Sequence, residues 1–258
     1  MKIIVLVKQV PDTEEERKLD LVSGVLDRGA SASIIDEVNE RALEVALLYK
    51  DSNKGTEVVA LSMGPESVVQ SLRKALSMGA DSAMHVRDDA LAGSDASRTA
   101  AVLAAALRNT RFDLVVAGNE STDGRGGVIP AMIAEHLSLP HLTFLNSTEI
   151  SDAGVSGVRA SEDGTLSVHA ALPAVISVTE RVAEARFPNY KGIMTAKKKP
   201  LEVISLSQLG FDPAFARMSS SRVVFTSERA TRTAGKTIVD EGTAGVQLAE
   251  YLAAGYLI

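Results

Sequence analysis

The residues best suited to chemistry lie in the stretch 112–130, which joins a buried-strand pattern to a glycine-rich polar loop. Residues 114–117 form a continuous apolar run, which is typical of a strand buried on both faces of a parallel sheet. A helical pattern begins near Val128, with Pro130 suited to its first turn. Three glycines lie in the loop between them: Gly124, Gly126 and Gly127. Because glycine lets backbone N–H groups approach a ligand and a helix N-terminus carries about half a positive charge, a phosphate is the anion that this stretch would bind.

A second interpretation stays open for the same loop. It matches neither GxGxxG nor GxxxxGK(S/T), so an ordinary strand-to-helix turn that needs glycine explains it equally well. The loop also lacks the catalytic lysine and the magnesium-binding hydroxyl of a P-loop. Binding without turnover is therefore the expectation.

Other reactive residue types are absent or scattered. With no cysteines, disulfides, thiolate nucleophiles and cysteine-type zinc or iron–sulfur sites are excluded. No GxSxG motif occurs, and a net charge of -6 argues against a general nucleic-acid binder. The histidines show no metal-ligand spacing, and we expect all four to be structural: His85, His136, His141 and His169. No metal site is predicted.

The elements that position the loop alternate between strand and helix. The predicted strands are residues 3–7, 58–61, 83–86 and 114–117. The predicted helices begin at Asp36, near Val68, at Ser97 and at Ile129. Four short strand–helix repeats predict right-handed crossovers and a doubly wound, parallel, Rossmann-like α/β sheet.

Ligands of such sheets bind beyond the carboxyl ends of the strands, where the strand order reverses. Residues 6–13, Met63 and residues 118–129 would meet there, and their convergence supports nucleotide binding more strongly than the loop alone. Asp36 and Asp123 lie on this predicted crevice. Each is expected either to accept hydrogen bonds from a ribose or adenine, or to cap the backbone.

The pattern changes after Leu142. Short β-like segments predict an antiparallel extension of the sheet: residues 142–150, 155–159, 166–170 and 172–178. We expect a loop at residues 184–194 and a solvated strand edge at the three lysines, residues 197–199. The domain division is then an α/β domain at 1–205 and a C-terminal arm at 206–258, whose last, largely apolar helix is expected to wrap a partner subunit.

No apolar run approaches the ~18 residues of a membrane helix. Residues 1–8 predict a first strand rather than a signal peptide. We therefore expect a cytoplasmic protein.

Seven motifs, in order along the chain, resemble the electron-transfer flavoprotein beta-subunit family. They are VLVKQVPD (5–12), DEVNERALE (36–44), LSMGP (61–65), KALSMGAD (74–81), AGNESTDG (117–124), LPAVIS (172–177) and GIMTAKKK (192–199). The resemblance implies a sheet of the adenine-nucleotide-binding type and a heterodimer with an alpha subunit that carries most contacts to an electron-carrying FAD. It also implies a structural AMP in the beta-subunit crevice.

The resemblance also assigns site residues. The AMP positions would be Leu6, Asp36, Glu37, Val38, Asn39, Met63, Gly118, Asn119, Glu120, Ser121, Thr122, Asp123, Gly124, Arg125, Gly126, Gly127, Val128 and Ile129. Thr13 falls where the family places a residue near the flavin. Residues 186–199 match the segment that docks acyl-CoA dehydrogenases, with Tyr190 as anchor and Ile193 and Met194 beside it.

The implied activity is electron transfer, without catalytic residues of its own, from acyl-CoA and related flavin dehydrogenases in fatty-acid β-oxidation to a membrane quinone oxidoreductase. Loop residues 123–128 depart from many relatives, so a second FAD in place of AMP, as in electron-bifurcating members, stays open. A stand-alone nucleotide-binding α/β protein is the remaining alternative.

Overall fold

The computed structural model describes residues 1–212, 221, 223–227, 230–232, 235 and 237–258. They divide into two compact units, Met1–Val224 and Phe225–Ile258. No helix among the described residues is long and apolar enough to cross a membrane.

Twelve strands and six α-helices make up the described chain. The strands are β1 (Lys2–Leu6), β2 (Gln9–Pro11), β3 (Ser33–Ile35), β4 (Glu57–Met63), β5 (Ser82–Val86), β6 (Leu114–Gly118), β7 (His141–Leu145), β8 (Ser147–Ile150), β9 (Gly154–Ser161), β10 (Gly164–Ala171), β11 (Ala174–Val178) and β12 (Leu201–Ile204). The helices are α1 (Glu37–Ser52), α2 (Val68–Met78), α3 (Ala96–Arg108), α4 (Ile129–Leu137), α5 (Tyr190–Ala196) and α6 (Ala244–Ala254).

The predicted doubly wound parallel sheet is confirmed. Its seven strands are ordered β12-β5-β4-β1-β6-β11-β7, and every neighbouring pair is parallel. Alternate residues of β1 enter separate cores: Ile3 and Val5 pack with residues of α1 and α2, whereas Ile4 and Leu6 pack with residues of α3 and α4. Helices therefore cover both faces, which explains why the central strands are mostly apolar.

The prediction of one antiparallel extension is only partly right. Strands β8, β9 and β10 form a separate three-stranded antiparallel sheet. Residues 141–145 and 174–178, which were assigned to that extension, instead run parallel in the main sheet. A helix between two strands is the usual sequence signal that the strands run parallel. The connection from β7 to β11 consists instead of the three strands of the small sheet.

Four further elements differ from the prediction. The expected loop at 184–194 contains the start of α5, a short helix whose N-cap Asn189 accepts a hydrogen bond from Gly192 N at 2.7 Å. The edge strand β12 and the antiparallel pair of β2 and β3 were not predicted. Each of α5, β12, β2 and β3 is seven residues or shorter, so these elements carry little periodicity.

The second unit contains α6, which overlaps the predicted last helix, residues 246–258. None of the residues of α6 is buried, and its large apolar side chains, such as Leu248 and Tyr251, are about half exposed. The predicted arm, 206–258, also includes residues outside those described.

Candidate functional site

The strand order places the crevice at the carboxyl end of β1. From β1 the chain winds first through β4 and β5 on one side and later through β6 on the other, so the connections leave β1 in opposite directions. The loop after β6 and the start of α1 meet in the gap between them. This is the switch point at which doubly wound sheets bind ligands.

Asp36 joins two of the converging segments. It is fully buried, and as N-cap of α1 it accepts a hydrogen bond from Val38 N at 3.4 Å. Its other oxygen accepts from Thr122 N at 2.7 Å and from Thr122 Oγ1 at 3.1 Å. Burial raises the pKa of Asp36, although the hydrogen bonds from Thr122 oppose that shift. Of the two roles left open by the sequence, Asp36 fulfils the capping one.

Asp123 is a buried carboxylate held by two cations. Its side chain is 1% exposed and lies 2.7 Å from both Lys8 Nζ and Arg28 Nη2. Burial alone would raise its pKa, but the hydrogen bond and charge of Lys8, helped by Ser121 and Arg28, hold the pKa of Asp123 well below its usual range. The carboxylate is therefore ionised at neutral pH and fixes the loop to β1.

Gly118 and Asn119 shape the floor of the crevice. A Cβ on Gly118 would lie 2.6 Å from Asn39 Nδ2 and 2.8 Å from Val38 Cγ1, so no side chain fits there. Asn39 in turn accepts a hydrogen bond from Lys8 N at 2.7 Å. The buried Oδ1 of Asn119 has no hydrogen-bond partner among the described residues. Such an orphaned acceptor indicates a donor supplied by a ligand or a water molecule.

The start of α4 is the candidate anion site. Its N-cap is Val128, and no side chain of the described residues caps it. Gly127 precedes it with φ 64°, a left-handed conformation that favours glycine, and the Phe144 ring would be 3.0 Å from a Cβ there. Pro130 has no N–H, so the groups that lack an intrahelical partner at the start of α4 include those of Ile129 and Ala131, which could face a negatively charged group.

The other predicted residues lie on the same segments. Leu6 and Met63 end β1 and β4. Thr13 Oγ1 donates to Glu37 Oε1 at 3.0 Å, and Glu120 pairs with Arg125 at 3.0 Å. Ser121 accepts from Lys8 Nζ at 3.1 Å, while Gly124 N donates to the adjoining Asp123 carboxylate at 2.7 Å. Gly126 and Ile129 complete the connection into α4.

Sequence reasoning missed three cations of the crevice. Lys8 directly follows the first buried strand, and this position could have indicated it. Arg17 donates to the carbonyl and, at 3.1 Å, to the hydroxyl of Thr122, and Arg28 reaches Asp123. These two arginines lie in a charged excursion whose sequence carries no signal of where it folds back.

Three predicted docking residues share the short helix α5. Tyr190 is 80% exposed, and Ile193 and Met194 are both more than half exposed. Their exposure is compatible with the docking role that the resemblance assigns to them, which stays a prediction.

One of the four histidines has a contact that fits the expected structural role, and for His136, His141 and His169 that role stays a prediction. His85 is fully buried, and its Nε2 bonds to the carbonyl of Gly64 at 2.9 Å. No group of His, Asp or Glu side chains in the described ranges could hold a metal ion.

Comparison with known proteins identifies the family. The family model for the electron transfer flavoprotein domain matches residues 23–209. The chain is 46% identical to electron transfer flavoprotein subunit beta of Mycobacterium leprae, with 99% of each chain covered, and equally similar to that of Mycobacterium tuberculosis. It is 35% identical to the caffeyl-CoA reductase-Etf complex subunit CarD of Acetobacterium woodii, over 86% of this chain and 84% of the relative. The chain therefore belongs to the electron transfer flavoprotein beta-subunit family.

Proposed function

We propose that the chain is the beta subunit of a flavoprotein heterodimer, that it binds AMP structurally in the crevice, and that it shields an FAD held mainly by the alpha subunit. The heterodimer would carry electrons from acyl-CoA and related flavin dehydrogenases to a membrane quinone oxidoreductase. The observation that carries the nucleotide part is the junction of Asp36 with Thr122, beside a helix without a side-chain cap. Family membership supports the role of an electron carrier rather than a catalyst.

The crevice suits a mononucleotide. The open N-terminus of α4 is a place for the phosphate, and the unpartnered Oδ1 of Asn119 suits a ribose hydroxyl or an adenine amino group. Among the charged residues assigned to the crevice, four cations balance four carboxylates: Lys8, Arg17, Arg28 and Arg125 against Asp36, Glu37, Glu120 and Asp123. The attraction for a phosphate therefore comes from the start of α4 rather than from net charge.

The FAD would be covered rather than gripped by this chain. Thr13 is partly exposed next to the crevice and is our candidate for a residue near the flavin. When bound, the FAD supplies the redox chemistry, whereas the chain binds the nucleotide, positions the excursion around Thr13 and excludes water.

The exposed face of α5 is our candidate for the dehydrogenase-docking surface. Tyr190, Ile193 and Met194 present an apolar patch, and aromatic anchors of this kind dominate the energetics of docking. If Tyr190 is the anchor, Tyr190→Ala raises the KM of the dehydrogenase for the heterodimer about tenfold or more. Val22→Ala, which alters another exposed apolar side chain, is the control.

A second FAD in place of AMP is the alternative at the crevice. It is supported by the 35% identity to a subunit of a caffeyl-CoA reductase-Etf complex, a setting other than that of a free electron carrier. The loop geometry suits the phosphate of either nucleotide.

The test is to co-express the chain with its alpha subunit, purify the complex, denature it and count the released nucleotides by chromatography. One FAD and one AMP per heterodimer is the expected result. Two FAD and no AMP per heterodimer would refute the AMP proposal and support the alternative, a second FAD in the crevice. A partner-free chain that releases phosphate steadily from ATP would instead identify a stand-alone nucleotide-hydrolysing protein.

A further inference from the structure

We propose that Glu44 and Asp51 of α1, through Arg186, are positioning residues that hold α5 ready for its partner. This inference rests on the proposed function, because it assigns α5 to docking. The docking segment is residues 186–199, the stretch that the resemblance assigns to docking. It contacts α1 through Arg186, forms α5 against α2, and ends just before β12.

The first anchor is a bidentate ion pair. Glu44 Oε2 accepts hydrogen bonds from Arg186 Nε at 2.8 Å and Arg186 N at 3.1 Å, while Oε1 accepts from Nη2 at 2.9 Å. Nη2 also donates to Asp51 Oδ2 at 2.8 Å. Asp51 lies seven residues after Glu44, so both carboxylates face the segment from one side of α1. The hydrogen bonds to Glu44, which outweigh burial, raise the pKa of Arg186 above its ordinary value.

Glu44 is a buried charge on α1, so it requires a partner that compensates its loss of hydration. Its side chain is 6% exposed in the middle of a helix whose neighbouring residues form the core. A buried carboxylate is costly unless it is paired and hydrogen-bonded. Arg186 supplies both the charge and the donors, and it does so from the docking segment.

The second anchor holds the other end of α5. Arg73 of α2 donates from Nη1 to the carbonyls of Ala196 and Lys199, both at 2.8 Å. In return, Lys199 Nζ donates to the carbonyls of Leu76 and Ala80 at 2.9 and 2.5 Å. Each side chain thus satisfies terminal carbonyls of the other element.

Between the anchors, α5 lies flush on α2. A Cβ on Gly192 would lie 2.2 Å from the carbonyl oxygen of Ser77, so the backbones meet with no side chain between them. Only Ala196 of α5 is buried. A helix of seven residues is not stable alone, and so little apolar burial cannot hold it. The polar anchors therefore supply most of its order.

Ordering α5 in advance lowers the cost of docking, because the entropy of fixing the segment is lost on folding rather than on binding. Loosening the first anchor should therefore weaken encounter with the dehydrogenase. Electron transfer within the docked complex should change little, because neither carboxylate belongs to the crevice.

The experiment compares heterodimers carrying Glu44→Gln, Asp51→Asn or Glu40→Gln. Glu40→Gln is the matched control, since Glu40 also lies on α1 and is ion-paired, but with Lys74 rather than with the docking segment. One readout is steady-state reduction by an acyl-CoA dehydrogenase, resolved into KM for the heterodimer and kcat. The other is the rate of tryptic cleavage after Lys191, which requires α5 to open.

Glu44→Gln is expected to raise both KM and the cleavage rate about tenfold, with kcat within about twofold of the wild type. Asp51→Asn should raise both about two- to threefold, since this carboxylate is more than half exposed. Glu40→Gln should match the wild type.

An unchanged KM in Glu44→Gln, a loss confined to kcat, or an equal effect of Glu40→Gln would each overturn the inference. If Glu44→Gln yields no heterodimer, Asp51→Asn decides: a raised KM supports the positioning role and an unchanged KM refutes it. A wild-type heterodimer that no flavin dehydrogenase reduces would instead refute the proposed function, and the inference with it.

Discussion

The ionisation of Asp123 in the crevice is decided by neighbouring positive charges that oppose the effect of its burial. Burial penalises its ionised form, yet Lys8 and Arg28 hold it ionised. Asp123→Asn leaves both cations without their anion. We expect it to lower the stability of the heterodimer by about 1.5–3 kcal/mol at pH 7, the range for a hydrogen bond to a charged group. Thermal or denaturant unfolding measures this.

The low pKa of Asp123 in the folded protein sets how its contribution to stability changes with pH. The folded pKa of Asp123 lies below its unfolded value near 3.8, so its contribution is complete above about pH 4 and is lost as pH falls towards the folded pKa. The difference in stability between wild type and Asp123→Asn should therefore narrow below pH 4. A difference that stays constant from pH 7 to pH 3 would show that the charge of Asp123 is not its source.

Gly118 tests the floor of the crevice. The Cβ of Gly118→Ala would press on Asn39 and Val38, so we expect a loss of about 1–3 kcal/mol of stability and a reduced AMP content. Gly126→Ala in the same loop is the matched control, because its Cβ would meet its nearest atom only at 4.0 Å. The measurement is the amount of AMP that each heterodimer releases on denaturation. Equal AMP contents in both variants would contradict the proposed role of this floor.

At the residue scale, sequence reasoning succeeded for positions tied to local pattern. Asp36 could be placed because an N-cap precedes an amphipathic helix. Arg17 and Arg28 could not, since their targets lie 105 and 95 residues away along the chain. Contacts at that separation depend on how the excursion folds back, which no local spacing records.

At the element scale, the four βα repeats could be predicted, but the direction of the later strands could not. Strand β11 is buried at every residue, like β6 beside it, and this continuous burial is the mark of a parallel strand. Because the connection from β7 to β11 contains strands rather than a helix, the sequence pattern predicted that β11 would run antiparallel. The helix α5 was missed because tertiary contacts, not periodicity, hold it.

The lysine run before β12 supports a prediction at this scale. Residues 197 and 198 are exposed, as expected of a solvated edge, but Lys199 is partly buried and bonds to two carbonyls at the end of α2. Lys199→Met should therefore cost about 1–3 kcal/mol of stability. Lys198→Met, the adjacent control, should cost nothing measurable. Equal unfolding curves for the two variants would contradict the capping role of Lys199.

Over the whole molecule, α1 links the two candidate surfaces. Its N-cap Asp36 lies at the crevice, and Glu44, about 12 Å further along the axis, holds the docking segment. One helix thus contacts both the candidate nucleotide site and the candidate docking surface. A structural nucleotide that orders the start of α1 would steady the docking surface as well.

The second unit supports the last prediction. None of the residues of its helix α6 is buried, apolar side chains such as Leu248 and Tyr251 are about half exposed, and we propose that the alpha subunit covers them. A chain lacking Phe225–Ile258 should therefore lose capture of a tagged alpha subunit, or bind it at least about tenfold more weakly, since buried apolar anchors carry most interface energy.

The double variant Leu248→Ser/Tyr251→Ser tests whether the apolar surface of α6 is responsible for capture of the alpha subunit. It keeps the full length of the chain and removes only apolar surface from α6. We expect it to weaken capture in the same direction as the deletion. Glu250→Gln, an exposed change on the same helix that keeps the apolar surface, is the control and should bind normally. Wild-type capture by the deletion would place the subunit interface on Met1–Val224 alone, because association would then be complete without α6.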